Sequence, residues 1–478
     1  MAPDEFRRTK IVTTIGPASR SLEMMIELIG AGADVFRLNF AHGTRAEHLE
    51  NIATARQAAE RTGKQIGILG DLPGPKLRLG EIDGDVAELV EGQEVTLTCD
   101  GSNGDAAAGR IPVSWRGLPS AVTEGKEIYL ADGRIRLRVR DCEASEVLTT
   151  VEAGGVVTSH QGLNLPGTEV PLPAAGREDL AWVDFAVDQG IDLVAVSFVR
   201  RAEDLRPVDR RIRTGGADIP VIAKIEKPQA AERAEEIVKA VGAGIMVARG
   251  DLGIELPIAS VPVVQKKLIA RAGKHAMPSI TATQMLASMV TSARPTRAEV
   301  TDVANAIYDG TDAVMLSEET AIGQHPVEAV RVMDEIARET EPELPYGDWL
   351  LHRVATDASD VASSVARAAV GSTYTLGLAA LVVPTRSGRT ARLVSAHRPR
   401  VPVLAVTPRM ETVRRLNLLF GVRCVLAEDW TSLRALLDDC ARLARENGIA
   451  RSGDLIGITA GLPEQELGTN LFEIHRVP

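Results

Sequence analysis

The chain has 478 residues, 45% of them hydrophobic, and a formal net charge of -11 from 54 basic and 65 acidic side chains. That length buries cores for two or three domains, while scattered basic residues within an acidic excess argue against general binding to nucleic acid or anionic membranes. The N-terminal MAPDEFRRTK has no apolar signal core, no later apolar run is long enough to span a membrane, and Cys99, Cys142, Cys424 and Cys440 lack metal-type spacing, so free thiols and a cytoplasmic location are expected.

From the N-terminus, apolar runs at Lys10 to Ile15, Asp34 to Leu38 and Gln65 to Leu69 alternate with helix-like segments in βαβα order. The rhythm breaks at Asp71-Leu72-Pro73-Gly74-Pro75. A β-rich stretch with many turn signals follows, its clearest piece a hairpin turning at Asp132-Gly133. A second Gly/Pro-rich hinge, near residues 159–167, closes this insertion. Strand candidates then resume at 191–196, 220–225, 244–248, 278–282 and 312–316. Eight buried strands, each with room for a helix, predict a (β/α)8 TIM barrel interrupted after its third strand.

The run PVIAKIEKP (220–228) is a short buried strand whose end turns charged, and its period of two puts Lys224 and Glu226 on one face. Some twenty residues on, GIMVARGDLG repeats the pattern and brings Asp251 to a strand end. Glu226 and Asp251 supply the one or two carboxylates that a small divalent cation such as magnesium takes, and the glycines beside Asp251 let backbone N–H groups approach an anion. An interior ion pair of Lys224 with Glu226 is the plainer reading of the first motif. Against it, Arg37, Asn39, Asp71, Ser197, Lys224, Glu226, Asp251, Thr283 and Ser317 all fall at or just past the C-terminal ends of strands, the catalytic face of such barrels.

A helical segment, Pro326 to Glu341, leads to the join EPELPYGDW and a separate C-terminal α/β unit. That unit opens with a helix-like DASDVASSVARAAVG, followed by strands LAALVVP, VPVLAV and DLIGIT. It also holds Thr385-Arg386-Ser387-Gly388-Arg389-Thr390 between a strand and a helix. The resulting domains are 1–70 and 169–344 for the barrel, 71–168 for the β-rich insertion, and 345–478 for the α/β unit.

Taken together, RTKIVTTIGPAS (8–19), FRLNFAHG (36–43), DLPGPKLR (71–78), AKIEKP (223–228), ARGDLG (248–253), ATQML (282–286), PTRAEVTDVANA (295–306) and MLSEETA (315–321) closely resemble the pyruvate kinase family over nearly the whole chain. The resemblance implies a barrel, a mobile small β-barrel lid formed by the insertion, a regulatory C-terminal domain and usually a homotetramer. The implied reaction moves phosphate from phosphoenolpyruvate to ADP, giving ATP and an enolpyruvate that is protonated to pyruvate. By the same resemblance Lys224 neutralises charge on the transferring phosphoryl group and developing enolate, and Glu226 and Asp251 hold magnesium, for which manganese substitutes. Gly250 and Asp251 offer N–H groups to the substrate carboxylate. Thr283 resembles the family threonine that helps deliver a proton through water, although a helix N-cap is its plainer role. Arg37 and Arg78 resemble the arginines on the transferring and nucleotide phosphates, while Asn39 and His42 match positions near the nucleotide. His42 equally suits a solvated loop, and Ser197 and Ser317 read as packing or supporting residues.

The chain departs from the potassium-dependent pattern in carrying Ala41 for the serine of NFSHG and Lys76 for the glutamate of GPEIR. The expectation is that the Lys76 ammonium, held by Asp71 and Asn39, replaces potassium, which is then not required. Two unit charges 4 Å apart interact by about 4 kcal/mol at an effective dielectric near 20, enough to affect phosphate orientation. Glu178 occupies the place of a nucleotide-contacting lysine, which weakens ADP binding, hands the contact to Arg177, or reflects a shifted loop. TRSGRT resembles the loop that grips an effector phosphate through Thr385, Ser387, Gly388, Arg389 and Thr390. Fructose 1,6-bisphosphate, a sugar monophosphate and AMP all stay open as that effector. A magnesium-dependent lyase or aldolase acting on phosphoenolpyruvate or pyruvate, and a non-catalytic metabolite-sensing paralogue, are the alternative functions.

Overall fold

The computed structural model describes residues 6–75, 77–101, 105, 108–168, 170–354, 360–430, 432–461 and 468–478. Eight parallel strands close a ring: β1 (Lys10–Ile15), β2 (Val35–Asn39), β3 (Gly67–Asp71), β4 (Leu193–Val196), β5 (Val221–Ile225), β6 (Gly244–Ala248), β7 (Ser279–Ala282) and β8 (Ala313–Leu316). β1 pairs with both β2 and β8, so the sheet has no edge. The strands read as continuous apolar runs because both of their faces are buried.

Alternation along each strand divides those faces. Val12, Val35, Leu69, Leu193, Ala195, Ile222, Met246 and Ile280 fill the inside of the ring. Their neighbours Ile11, Phe36, Ile68, Val194, Val221, Ile245 and Val314 pack outward against the helices. The helix over Arg45–Thr62 starts at a capping box, Thr44 with Glu47, and stops at Gly63 in the left-handed region. Thr296 and Glu299 form the same box before the helix Arg297–Tyr308.

Between β3 and β4 the chain leaves the barrel to build the lid. The expected small β-barrel takes the form of a six-stranded sheet and a two-stranded ribbon around one apolar core that includes Leu79, Val95, Leu97, Ile128, Leu137 and Val151. Its two legs run side by side, with Arg78 bridged to Gly162. Asp179 fastens the first leg to the barrel: one carboxylate oxygen accepts from Gly74 N–H at 2.8 Å, while the other caps its own helix by accepting from Gly176 N–H at 2.8 Å.

The C-terminal unit is a five-stranded sheet in the order Val422–Leu426, Val403–Thr407, Ala380–Pro384, Leu455–Ala460, Leu471–Arg476. Only the last strand is antiparallel. The unit docks beneath the barrel through charged contacts. Arg398 is wholly buried, donates to Asp312 at 2.7 Å, and stacks over the Phe420 ring at 4.3 Å. Lys10 donates to the Val422 carbonyl at 2.7 Å. Among the described residues no helix is long and apolar enough to cross a membrane.

Candidate active site

The rows of side chains that fill the ring turn polar at its C-terminal end. Thr14 continues the inward row of Val12, Arg37 and Asn39 that of Val35, and Asp71 that of Leu69. Ser197 follows Leu193 and Ala195, and Lys224 and Glu226 follow Ile222. A period of two thus carries polar groups from neighbouring strands into one layer.

At the centre lies Asp71, only 1% exposed. Arg37 donates to its Oδ2 at 2.7 Å through Nε, and Nη2 lies 2.7 Å from the same oxygen. Lys224 Nζ is 3.2 Å from Oδ1. Burial pushes the Asp71 carboxyl up, but Lys224 and then Arg37 outweigh it and hold the group below the usual carboxylate range. Arg37 also donates to Thr14 Oγ1 at 3.1 Å, and that hydroxyl donates to the Leu316 carbonyl at 2.8 Å.

The Lys224 ammonium has further partners in Glu226 Oε1 at 2.8 Å and Ser197 Oγ at 2.7 Å. Burial lowers its pKa, but Asp71 and Glu226, helped by Asp251, raise it well above the ordinary lysine value. The expected pairing of Lys224 and Glu226 on one face is therefore present, inside a wider cluster. Ser197, read from sequence as a supporting residue, touches the lysine directly and donates in turn to the Leu72 carbonyl at 2.7 Å. Glu226, 2% exposed, accepts from Phe198 N–H at 2.8 Å through Oε2. Phe198 presents that N–H from a left-handed backbone, φ 55°.

Asp251 lies in the first turn of the helix Arg249–Glu255, just past β6. Gly250 N–H donates to Thr283 Oγ1 at 2.7 Å, so the hydroxyl past β7 and the helix past β6 meet. Thr283 does not cap a helix. Both Thr283 and Gln284 have positive φ, 68° and 54°, and the next helical turn starts only at Ala287.

The remaining expected residues lie farther out. Asn39 accepts from Ala41 N–H at 3.3 Å, and His42 is exposed in the loop past β2. Arg78 belongs to the lid hinge, where its guanidinium donates to the His160 carbonyl at 3.1 Å. Lys76 lies outside the described residues, and Asp71, expected to hold it, is engaged with Arg37 and Lys224. Glu178 is exposed beside the buried Asp179. Ser317 N–H donates to Glu319 Oε2 at 2.7 Å, while Glu319 Oε1 accepts from Leu286 N–H at 3.0 Å. In the C-terminal unit, Gly388, φ 84°, donates to Thr385 Oγ1 at 3.0 Å and Arg389 N–H points at Ser387 Oγ at 3.5 Å. Thr390 shares a 2.6 Å hydroxyl contact with Thr469.

Glu226 is buried against the Lys224 ammonium, which also feels the Asp251 carboxylate, and carboxylate oxygens of this kind suit a hard divalent cation. Among the described residues there is no group of three or more His, Cys, Asp or Glu that could hold a metal ion.

A family model for the pyruvate kinase barrel domain matches residues 6–330, and one for the pyruvate kinase alpha/beta domain matches residues 363–475. A pyruvate kinase of Geobacillus stearothermophilus is 43% identical over 98% of this chain and 80% of its own length. Those of Thermococcus litoralis, at 41%, and Thermotoga maritima, at 39%, are covered over 99% and 100% of their lengths. Since the matches extend over the ring that bears the charged cluster and the unit docked beneath it, the chain belongs to the pyruvate kinase family, with the divalent-metal dependence that membership implies.

Proposed function

We infer that this chain transfers the phosphoryl group of phosphoenolpyruvate to ADP, with its own side chains in the following parts. The observation that carries the reading is the Lys224 ammonium, fixed by Glu226, Asp71 and Ser197 at the open end of the ring beside Arg37. Fixed cations aimed at a place where negative charge grows need no reorganisation during reaction, and such preorganised electrostatics often supply most of an enzyme's rate enhancement. Arg37 and Lys224 bind the phosphoryl group, and Lys224 faces the oxygen that becomes the enolate. A bound phosphate competes with Asp71, Glu226 and Ser197 for that ammonium.

Glu226 and Asp251 would hold magnesium, with manganese as its substitute. Bound there, the ion would supply Lewis-acid stabilisation of the negative charge that grows during transfer. Gly250 and Asp251 N–H groups receive the substrate carboxylate, Gly250 by exchanging its bond to Thr283. Arg78 reaches the nucleotide phosphates from the lid, with Asn39 and His42 nearby. Thr283 then orients a water that gives a proton to C3 of the enolate, and the hydroxide left behind is reprotonated from solvent.

The same chemistry leaves potassium dispensable, since Ala41 and Lys76 replace an oxygen ligand and an acidic residue. The protein acts as a cytoplasmic homotetramer with a phosphorylated effector at Thr385, Ser387, Gly388, Arg389 and Thr390. A lactate-dehydrogenase-coupled assay tests the core of the proposal. Pyruvate should form only with ADP and a divalent cation, and Lys224→Met should lower turnover by about 10³-fold. Equal rates in wild type and variant would place the chemistry elsewhere, and strong activation by added potassium would overturn the cation assignment.

A further inference from the structure

We propose that Arg249 is the positioning residue for Thr283, holding the strained end of β7 so that proton delivery to the enolate is fast; the proposal rests on the role given to Thr283 above. Thr283 and Gln284 follow each other at φ 68° and 54°. A positive φ is unfavourable for any residue but glycine, and more so for a β-branched one, so two in succession persist only where the surroundings impose them.

The carbonyls of this turn face one guanidinium. Arg249 Nη2 donates to the Thr283 carbonyl at 2.8 Å, and it also reaches the Gln284 carbonyl at 3.4 Å and Met285 Sδ at 2.7 Å. Arg249 Nε reaches the Ala282 carbonyl at 3.3 Å. Three consecutive carbonyls thus turn toward a single planar fork. Its other branch, Nη1, is anchored by Asp302 at 2.7 and 2.6 Å and by Gln265 at 3.4 Å. The Arg249 side chain is 11% exposed.

The next residue in the chain, Gly250, donates to Thr283 Oγ1 at 2.7 Å, and that hydroxyl donates to the Ala282 carbonyl at 2.6 Å. Until substrate takes over the Gly250 N–H, backbone and hydroxyl of Thr283 are both set by the same short helix that carries Asp251, and afterwards Arg249 still holds the backbone. A lysine keeps the charge of Arg249 but has no rigid fork to span three carbonyls. The two properties can be separated.

Arg249→Lys should slow turnover about tenfold while leaving KM for phosphoenolpyruvate within about twofold, since displacing a reacting group lowers rate more than binding. Exchange of pyruvate methyl protons with deuterated solvent, followed by NMR with ATP and magnesium present, should slow by the same factor. Adding Gln284→Gly, which makes a positive φ easy at an exposed position, should restore a large part of the lost exchange. Thr283→Val should slow exchange about 100-fold with no further loss on adding Arg249→Lys. If Arg249→Lys does not fold, Asp302→Asn, which loosens the fork from outside, should give the same rescuable slowing.

The outcomes separate the two ideas. Unchanged exchange in Thr283→Val overturns the role of Thr283 and this proposal with it. Slow exchange in Thr283→Val with normal exchange in Arg249→Lys, or no rescue by Gln284→Gly, overturns the positioning role alone. A rise confined to KM would mark Arg249 as a substrate contact instead and overturn the positioning role as well.

Discussion

Asp71 neutralises two cations that must later face a phosphate, so it sets both their charge state and their direction. Asp71→Asn should leave Arg37 and Lys224 in mutual repulsion, costing about 3–5 kcal/mol of stability as for a broken buried pair. Urea unfolding measures the stability, and the coupled assay should show a loss larger than the change in substrate binding alone. Because its folded pKa is depressed, the Asp71 contribution is present above the ordinary carboxylate value and is lost only below it, in strong acid. His397 behaves oppositely in a milder range. Burial, then Arg367 and Arg353, push it down to about 4 from 6.5, so the unfolded chain binds the extra proton between those values and stability falls as pH drops through them. His397→Leu should remove about 2 kcal/mol of the stability lost between pH 7 and pH 5, read from urea midpoints. At this scale the sequence exposed Lys224, Glu226, Asp71 and Arg37 because a period of two and a strand end suffice to place them. Thr14, Arg249 and Glu319 stayed hidden as partners, because their contacts cross to neighbouring strands 23 to 36 residues away, where spacing within one strand says nothing.

The barrel strands were legible to within two residues, since a strand buried on both faces is an apolar run that turns polar where it emerges. Two strands of the C-terminal unit were not. Val422–Leu426 is interrupted by Arg423, whose side chain crosses to the Phe6 ring at 5.5 Å, and Leu471–Arg476 is an antiparallel strand with mostly half-exposed residues. Both lack the uniform apolarity that marks an interior strand. The lid hinge offers a test between a conformational and a packing requirement for glycine. Gly74 has φ 69°, and a Cβ there would come within 2.6 Å of Phe198 Cδ2 and 2.9 Å of Ser197 Cβ. Gly74→Ala should therefore destabilise by about 2 kcal/mol or more and, by shifting the residues that hold Glu226 and Lys224, lower turnover about tenfold. Gly84→Ala is the control, with φ 78° but nothing within 4 Å of the added carbon. It should cost about 1 kcal/mol and leave turnover unchanged.

The underside of the barrel carries its own charged layer, which joins the C-terminal unit to the strand starts. Asp312 accepts from Arg398 through one oxygen and from Ser279 N–H, at the first residue of β7, through the other at 3.0 Å. Arg398→Met should leave that carboxylate buried without its cation, a loss of about 3–5 kcal/mol. In urea it should split a single transition into two as the C-terminal unit separates first. The lid has a consequence of a different kind, for how the ring is assembled. Asp192, just before β4, accepts from Ile68 N–H of β3 across 124 residues, so closing the barrel at this seam demands a very long loop. With the lid already folded on its own core, the Arg78 to Gly162 bridge shortens that loop to the two hinge segments. Chain-closure entropy grows as the logarithm of loop length, so this roughly threefold shortening is worth about 1 kcal/mol. A nascent chain whose lid collapses first therefore meets a lower entropic barrier at this seam of the ring.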